Sequence, residues 1–447
     1  MQSTITKMTK TIAIIGGYGG MGRFFAKFFA EEGFRVVITG PNELKGERVA
    51  RKLNISYEKD NKAAARKADV VIISVPIDET IRVIKEVAPE VRENALLMDV
   101  TSIKEKPCRF MERYSKKGVE IIGTHPVFSH RVGSIEGQVF ILTPIRAKRW
   151  LKWLKKILKK HKARIYESTP EEHDQIMAVV QGLTHFAYIS IGKTLEELNF
   201  DIKRSREFSS PIYELMLDMV GRIIGQNPEL YSSIQMQNPR VREVHKKFLE
   251  TANELSNTIE KKDEKRFKEI MISAARHFDD VNRAMGRSDK AISSLVSELS
   301  NLRNSIGKEL CLKHIYSGKI HLGTVKSVTP DRVILDEFGR EYALKLSNIC
   351  VLSDKERIEY KRKKFGTVTR DFSVILDKNV NEEFLSKLLE DFDEMILSVK
   401  IRDIYSGPQI EKGKKSVCFS VEIINFDVKN TNNIINKFFM DLGGRLR

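Results

Sequence analysis

Three glycines in "IAIIGGYGGMG" carry the first chemical signal. Gly17, Gly19 and Gly22 follow an apolar, strand-like run and precede a helical one. That spacing lets the backbone approach a pyrophosphate while the helix N-terminus faces the phosphate charge. A merely tight turn is the plainer reading, but it does not need all three glycines, so a dinucleotide is expected. In "EIIGTHPVFSH", His125 stands before Pro126 at an apparent strand exit. Strand exits of an open parallel sheet face ligands, and the proline restricts His125 to extended backbone. A neutral imidazole there can accept a proton; a turn-capping histidine is the competing reading. Ser102, in "DVTSIK", sits at another strand exit. The plainer reading of Ser102 is an N-cap, since Thr101, Ser102 and Glu105 together suit a helix start, and both roles can coexist. His185 comes four residues after Gln181 on one helical face, as a ligand-facing or a buried structural histidine. Arg222, in "MLDMVGRII", lies in an apolar helical run. An unpaired buried guanidinium is costly, so it calls for a carboxylate, either on a ligand or on Asp218 one turn earlier.

The second strand ends in "VVITGPNELKGER", without the acid that would grip an NAD ribose. Thr39 and Asn42 are suited to hydrogen-bond a 2′-phosphate, with Lys45 or Arg48 lending charge. This favours NADP over NAD, unless the two cations are ordinary solvated helix residues. No metal site is expected. The four cysteines, Cys108, Cys311, Cys350 and Cys418, are scattered without a Cys-x-x-Cys pair, which points to a reducing compartment.

The elements that position these residues follow from pattern. Residues 11–145 alternate apolar strands with amphipathic helices, which implies a parallel sheet covered on both faces. The stretch "KRWLKWLKKILKKHKARIYE" puts Trp150, Leu151, Leu154, Ile157 and Leu158 on one helical face. A sheet-covering helix with a solvated lysine face is expected there, ahead of an RNA- or membrane-binding one. From about 170 to 305 the pattern is helical throughout. A run of strands after about 308 suggests a small β-barrel. The charged "SDKERIEYKRKKFG" reads as a linker, and the order of elements after 367 suggests a ferredoxin-like plan. The fold class expected is therefore multidomain. It comprises an α/β Rossmann domain at 1–168, an all-α domain at 169–305, a small β-barrel at 306–355 and an α+β ferredoxin-like domain at 367–447. With 447 residues, 41% hydrophobic and 31% charged, the chain can bury several cores. Its net charge of +17 suits polyanions, or simply a lysine-rich composition. No secretory segment precedes the first strand and no long apolar run occurs, so a cytoplasmic protein is expected.

The stretches "MDVTSIKEK", "GTHPVFSH", "EHDQIMAVVQGLTHF" and "SSPIYELMLDMVGRIIGQNPELYSSIQMQNP", with the glycine turn, occur in an informative order. Over about residues 11–280 the chain resembles the prephenate dehydrogenase family of tyrosine biosynthesis. The resemblance implies oxidative decarboxylation of prephenate to 4-hydroxyphenylpyruvate, with hydride transfer to NAD(P)⁺. It implies that His125 engages the ring hydroxyl and that Ser102 lies near that hydroxyl and the nicotinamide. Lys104 would lie near the substrate, His185 would assist binding, and Arg222 would hold a substrate carboxylate. It also implies a homodimer through the helical domain. Two departures stand out. Ser129 and His130 replace a residue pattern common in bacterial relatives. Glu214 stands where some relatives carry a second arginine, and it raises arogenate as an alternative substrate.

The tail, about 367–447, resembles the ferredoxin-fold anticodon-binding domain of phenylalanyl-tRNA synthetases. Its marks are Arg370–Asp371, Tyr405, Gly407, Gly413 to Ser416 and the final Leu446–Arg447. The resemblance leaves three roles open: RNA binding, with Lys412, Lys414 and Lys415 meeting phosphates; sensing of an aromatic amino acid; or assembly alone. An RNA-binding protein with a secondary dehydrogenase half is thus the alternative of another class. A 3-hydroxyacid dehydrogenase is disfavoured by the His–Pro and Gln-x-x-x-His stretches.

Overall fold

The computed structural model describes residues 9–278 and 280–447; the first eight residues of the domain expected at 1–168 lie outside them. The chain divides into two compact units, one ending at Met285 and one running from Gly286 to Arg447.

The first unit is built on an eight-stranded sheet ordered β3-β2-β1-β4-β5-β6-β7-β8. Its strands are β1 Thr11–Ile15, β2 Arg35–Ile38, β3 Ser56–Tyr57, β4 Val70–Ile73, β5 Leu96–Asp99, β6 Glu120–Pro126, β7 Val139–Arg146 and β8 Arg164–Glu167. The helices between them are α1 Gly20–Glu31, α2 Glu43–Leu53, α3 Asn61–Lys67, α4 Ile77–Val87, α5 Glu105–Tyr114 and α6 Arg149–Lys160. Strands β1 to β6 run parallel, as their continuous apolar character implies. One face packs Ile12, Ile14, Phe25, Phe29 and Leu142; the other packs Ala13, Ile15, Val71, Ile73 and Leu97. Strand β7 is antiparallel to β6. No helix lies between them, and a parallel return needs a crossover. Helix α6 covers the sheet with Trp150, Leu154, Ile157 and Leu158, so its lysines form the solvated face.

The helical part comprises α7 Pro170–Met177, a π-helical turn Ala178–Leu183, α8 Thr184–Glu197, α9 Ile202–Ser205 and α10 Pro211–Ile224. It continues with α11 Pro228–Gln237, α12 Val241–Glu260 and α13 Glu264–His277; α14 Val281–Arg303 begins in this unit and runs on into the second. Helix α11 docks on the start of α4, where Ser233 Oγ donates to Asp78 at 2.7 Å and Gln237 also donates to Asp78. Ile234 packs with Ile77 and Ile103 at the same place.

In the second unit the expected β-barrel is not formed. Strands β9 Glu309–His314, β10 Ile320–Val328, β11 Arg332–Glu337, β12 Arg340–Lys345 and β13 Ile349–Val351 make an open antiparallel sheet, ordered β12-β11-β10-β9-β13. A barrel needs its two edge strands paired, and β12 and β13 are not. The expected linker is also a formed element. Helix α15, Asp354–Phe365, starts with a Ser353–Glu356 capping box. It carries Lys361, which is buried and pairs with Glu309 at 2.5 Å and Glu394 at 3.8 Å. The ferredoxin-like order follows: β14 Thr367–Asp377, α16 Glu382–Glu390, β15 Ile396–Tyr405, β16 Lys414–Ile424, α17 Val428–Asp441 and β17 Arg445–Leu446. Its antiparallel sheet is ordered β15-β16-β14-β17. Among the described residues, no helix is long and apolar enough to cross a membrane.

Candidate active site

The glycine turn links β1 to α1. Its left-handed residue is Gly16, at φ +82°, one position before the expected fingerprint. Gly17 packs against Ile38 of β2 and donates its N–H to the Thr39 carbonyl at 3.0 Å. A Cβ on Gly22 would lie 2.5 Å from the Gly16 carbonyl oxygen, so only glycine lets α1 start this close to the turn. Gly19 ends the turn, and the N-terminus of α1 has no side-chain cap. The first N–H groups of α1 therefore remain for an anion, and the turn fits a dinucleotide pyrophosphate.

At the tip of β2 the structure rearranges the expected contacts. Thr39 is fully buried, and its hydroxyl donates to Asn61 Oδ1 at 2.6 Å. Asn42 caps α2, accepting from the Lys45 N–H at 2.9 Å. The ring of Tyr18 lies over Gly40, its hydroxyl accepts the Asn42 N–H at 3.0 Å, and Lys45 Nζ stands 5.2 Å from the ring centre. Tyr18 and Lys45 thus lie together beside Gly40 and Asn42, while the Thr39 hydroxyl is committed to Asn61.

His125 pairs with Ile141 of β7, beyond the last β5–β6 partners, Asp99 and Gly123. It therefore stands at the C-terminal edge of the parallel ladder. It is 2% exposed, and its Nδ1 lies 2.9 Å from Nε2 of His173 on α7. His173 Nδ1 lies 2.7 Å from Asp174 Oδ1. Asp174 in turn accepts the backbone N–H of Lys104 at 2.7 Å and of Glu105 at 2.9 Å. A carboxylate from α7 thus supplies the start of α5, where Lys104 is the N-cap residue and makes no side-chain cap. Ser102 is not the cap; it stays partly exposed in the loop after β5. Burial, then His173, then the charge of Lys104 hold the His125 imidazole well below its ordinary value, so it is neutral.

Lys104 lies beneath this site rather than in it. Its ammonium is fully buried, paired with Asp99, and 3.1 Å from Thr101 Oγ1. The reason is electrostatic: Asp99 is also fully buried at the end of β5 and requires a counter-charge. In the helical part, the π turn carries Gln181 and leads into His185. Gln181 Oε1, His185 Nδ1 and Gln235 Oε1 are buried without partners among the described residues. Such orphaned groups suit a bound polar molecule. Burial lowers the His185 pKa to about 4, and its ring lies 4.4 Å from that of Tyr231. Burial raises the Tyr231 pKa, and the charge of Arg222 opposes that shift. Arg222 itself is exposed and not buried as its apolar context suggested. Met219 and Ile224 beside it are also exposed, so this part of α10 is uncovered. The expected alternative, an ion pair with Asp218, is not formed; Asp218 pairs with Arg206 at 3.3 Å.

His173 and Asp174 were not singled out by sequence reasoning. The signal was an adjacent titratable pair just past the first turn of a helix capped by Thr169 and begun by Pro170. In the tail, Lys415 is buried and donates to Glu382 and to the Val380 carbonyl, which removes it from the expected phosphate set. Among the described residues, no cluster of three or more His, Cys, Asp or Glu could hold a metal.

Residues 25–167 match the family "Prephenate dehydrogenase, nucleotide-binding domain", and 169–273 match "Prephenate dehydrogenase, dimerization domain". Residues 363–446 match the "Ferredoxin-fold anticodon binding domain". A "Probable arogenate/prephenate dehydrogenase" of Methanocaldococcus jannaschii is 44% identical over 442 residues, 98% of each chain. The "T-protein" of Haemophilus influenzae is 31% identical over 264 residues, 59% of this chain and 66% of that one. Among solved structures, the Aquifex aeolicus prephenate dehydrogenase with hydroxyphenyl propionate and NAD⁺ shares the fold at TM-score 0.50 and 22% identity. That likeness covers 61% of this chain and 99% of the Aquifex chain.

Proposed function

The chain belongs to the prephenate dehydrogenase family of oxidoreductases, and on that premise we propose that it oxidatively decarboxylates prephenate to 4-hydroxyphenylpyruvate. The observation that carries the reading is a neutral, buried imidazole at residue 125, at the C-terminal edge of the sheet that also bears the glycine turn. A bound nicotinamide supplies the hydride acceptor. His125 accepts the proton of the ring hydroxyl as that carbon becomes a carbonyl, and help of this kind is worth about 10²–10⁴ in rate. Carbon dioxide leaves as the ring becomes aromatic, so the chain need not supply that driving force. Ser102, in the loop after β5, hydrogen-bonds the same hydroxyl in this reading. Arg222 and the neutral His185 hold a carboxylate end, and a guanidinium suits that task through its paired donors.

Prephenate is preferred over arogenate because of Glu214. That carboxylate would suit an amine, but it is paired with Arg206 and accepts from Ser209 at 2.5 Å. NADP is the cofactor proposed, since Thr39 to Asn42 include no acid and Lys45 lies beside Tyr18 at the ribose end. We assign a dimer through the helical part, supported by exposed Phe208, Ile212 and Met236. For the tail, the loss of Lys415 to Glu382 favours sensing or assembly over RNA. The test is a steady-state assay of prephenate and arogenate with each nicotinamide, repeated with added tyrosine. Reduced-nicotinamide absorbance with prephenate and NADP⁺ is expected to dominate; none with any pair would remove the proposal.

A further inference from the structure

His125 can act as a base only through a nitrogen that carries no proton. Neutral imidazole has two tautomers, and the hydrogen bond at one nitrogen selects the other. Here the selection can be read outward from Asp174. Its two oxygens accept the backbone N–H groups of Lys104 and Glu105, at 2.7 and 2.9 Å. Donors of that kind face a carboxylate that accepts, so the 2.7 Å contact to His173 is a bond from its Nδ1–H. In a neutral His173, Nε2 is then a lone pair. The 2.9 Å contact to His125 must consequently be a bond donated by His125 Nδ1–H, which leaves Nε2 of His125 unprotonated.

We infer that His173 and Asp174 are positioning residues, which hold His125 in the Nδ1–H tautomer and so present Nε2 as the base. The inference rests on the proposed dehydrogenase reading and deepens it. The packing supports a fixed arrangement. His125, His173 and Asp174 are 2%, 1% and 1% exposed, so water does not compete for these bonds. The two imidazoles meet edge to face, with centroids 5.1 Å apart. The charged groups around them are also committed. Asp174 faces the pair from α7, while Lys104, at the start of α5, is bound to Asp99 at the end of β5. Burial and the charge of Lys104 keep His173 neutral as well, against the opposing pull of Asp174. Asp174 bonds both His173 and the start of α5, so the base is referenced to the same loop that carries Ser102.

The test uses the full chain with prephenate and arogenate and each nicotinamide. Four variants are compared: His125→Asn, His173→Leu, His173→Gln and Asp174→Asn. His173→Leu leaves Nδ1 of His125 without an acceptor. Turnover should fall roughly 10²-fold, with the Michaelis constant for substrate within about twofold. Gln offers an amide oxygen that accepts the same N–H, so His173→Gln should recover much of the lost turnover. Asp174→Asn keeps the volume but no longer selects the tautomer, and it should lose turnover. A merely structural role would not produce recovery by Gln. Equal losses in His173→Gln and Asp174→Asn overturn the inference, even where the Leu variant fails to fold. Full turnover in His173→Leu and Asp174→Asn with an inactive His125→Asn overturns the tether alone. Full turnover in all four variants removes the base reading beneath it.

Discussion

Nδ1 of His125 on β6 and Nε2 of His173 on α7 lie 2.9 Å apart, across 48 residues of chain. This contact joins the sheet edge to the first helix of the helical part. It also decides what kind of histidine residue 125 is: not a cap, but a buried and neutral ring with one nitrogen engaged.

Replacing His125 by Asn should lower turnover by about 10²–10⁴ with little change in the Michaelis constant. Steady-state rates with saturating cofactor measure both. Equal activity would exclude the imidazole from the chemistry.

The pH dependence follows from the depressed histidines. Burial first, then His173 and Lys104, keep His125 well below 6.5, so the base remains neutral as pH falls through that value. The acid limb of the rate profile should therefore lie below 6.5 and not at it. Folding has the same sign. The unfolded chain takes up these protons near 6.5 and the folded chain resists them, so stability is present above 6.5 and is lost as pH falls. His185 releases its share as pH drops through about 4. Melting temperatures measured across this window should decline with acid; a rise would reverse the assignment.

Arg222→Gln should raise the Michaelis constant for substrate by roughly 10-fold or more, the scale of a charge-assisted hydrogen bond. The side chain is exposed, so the melting temperature should hardly move. A lowered melting point with an unchanged constant would make Arg222 a structural ion.

Gly22→Ala places a methyl 2.5 Å from the Gly16 carbonyl oxygen, and backbone on both sides limits relief. Cofactor affinity should weaken at least several-fold, as read by nicotinamide fluorescence titration. Unaltered affinity would show that the turn can yield.

In the second unit, Glu309→Gln removes the nearer partner of the buried Lys361, leaving Glu394 at 3.8 Å. Losing one partner of a buried pair costs about 3–5 kcal/mol, less here because Glu394 remains. Denaturant unfolding of the full chain should show a weakened transition. An unshifted curve would mean that Lys361 does not depend on Glu309.

Much of the fold was legible in local pattern. Strands β1, β2, β4, β5, β6 and β7 coincide with the apolar runs, and β1, β4, β5 and β6, buried on both faces, have no alternative composition. The missed pieces have short or ambiguous signals. Strand β3 is two residues long, and α15 looked like a linker because nearly every residue in it is polar. The π turn at 178–183 shifts the helical phase between Gln181 and His185, which a fixed four-residue spacing does not anticipate.

The residue types, the glycine turn, the His–Pro pair and the order of elements are local properties of the chain, and they point to a dinucleotide-dependent dehydrogenase. Which charges face a cleft is not local. Lys104 and Arg222 are both cations in informative motifs, yet Lys104 is sealed against Asp99 and Arg222 is exposed. Thr39 turns inward to Asn61, and His125 finds its partner on a helix that begins well after β6 ends. Burial and pairing of charge depend on neighbours brought together by packing, and desolvation makes those neighbours, not the residue type, govern whether a group titrates, binds or only holds the structure.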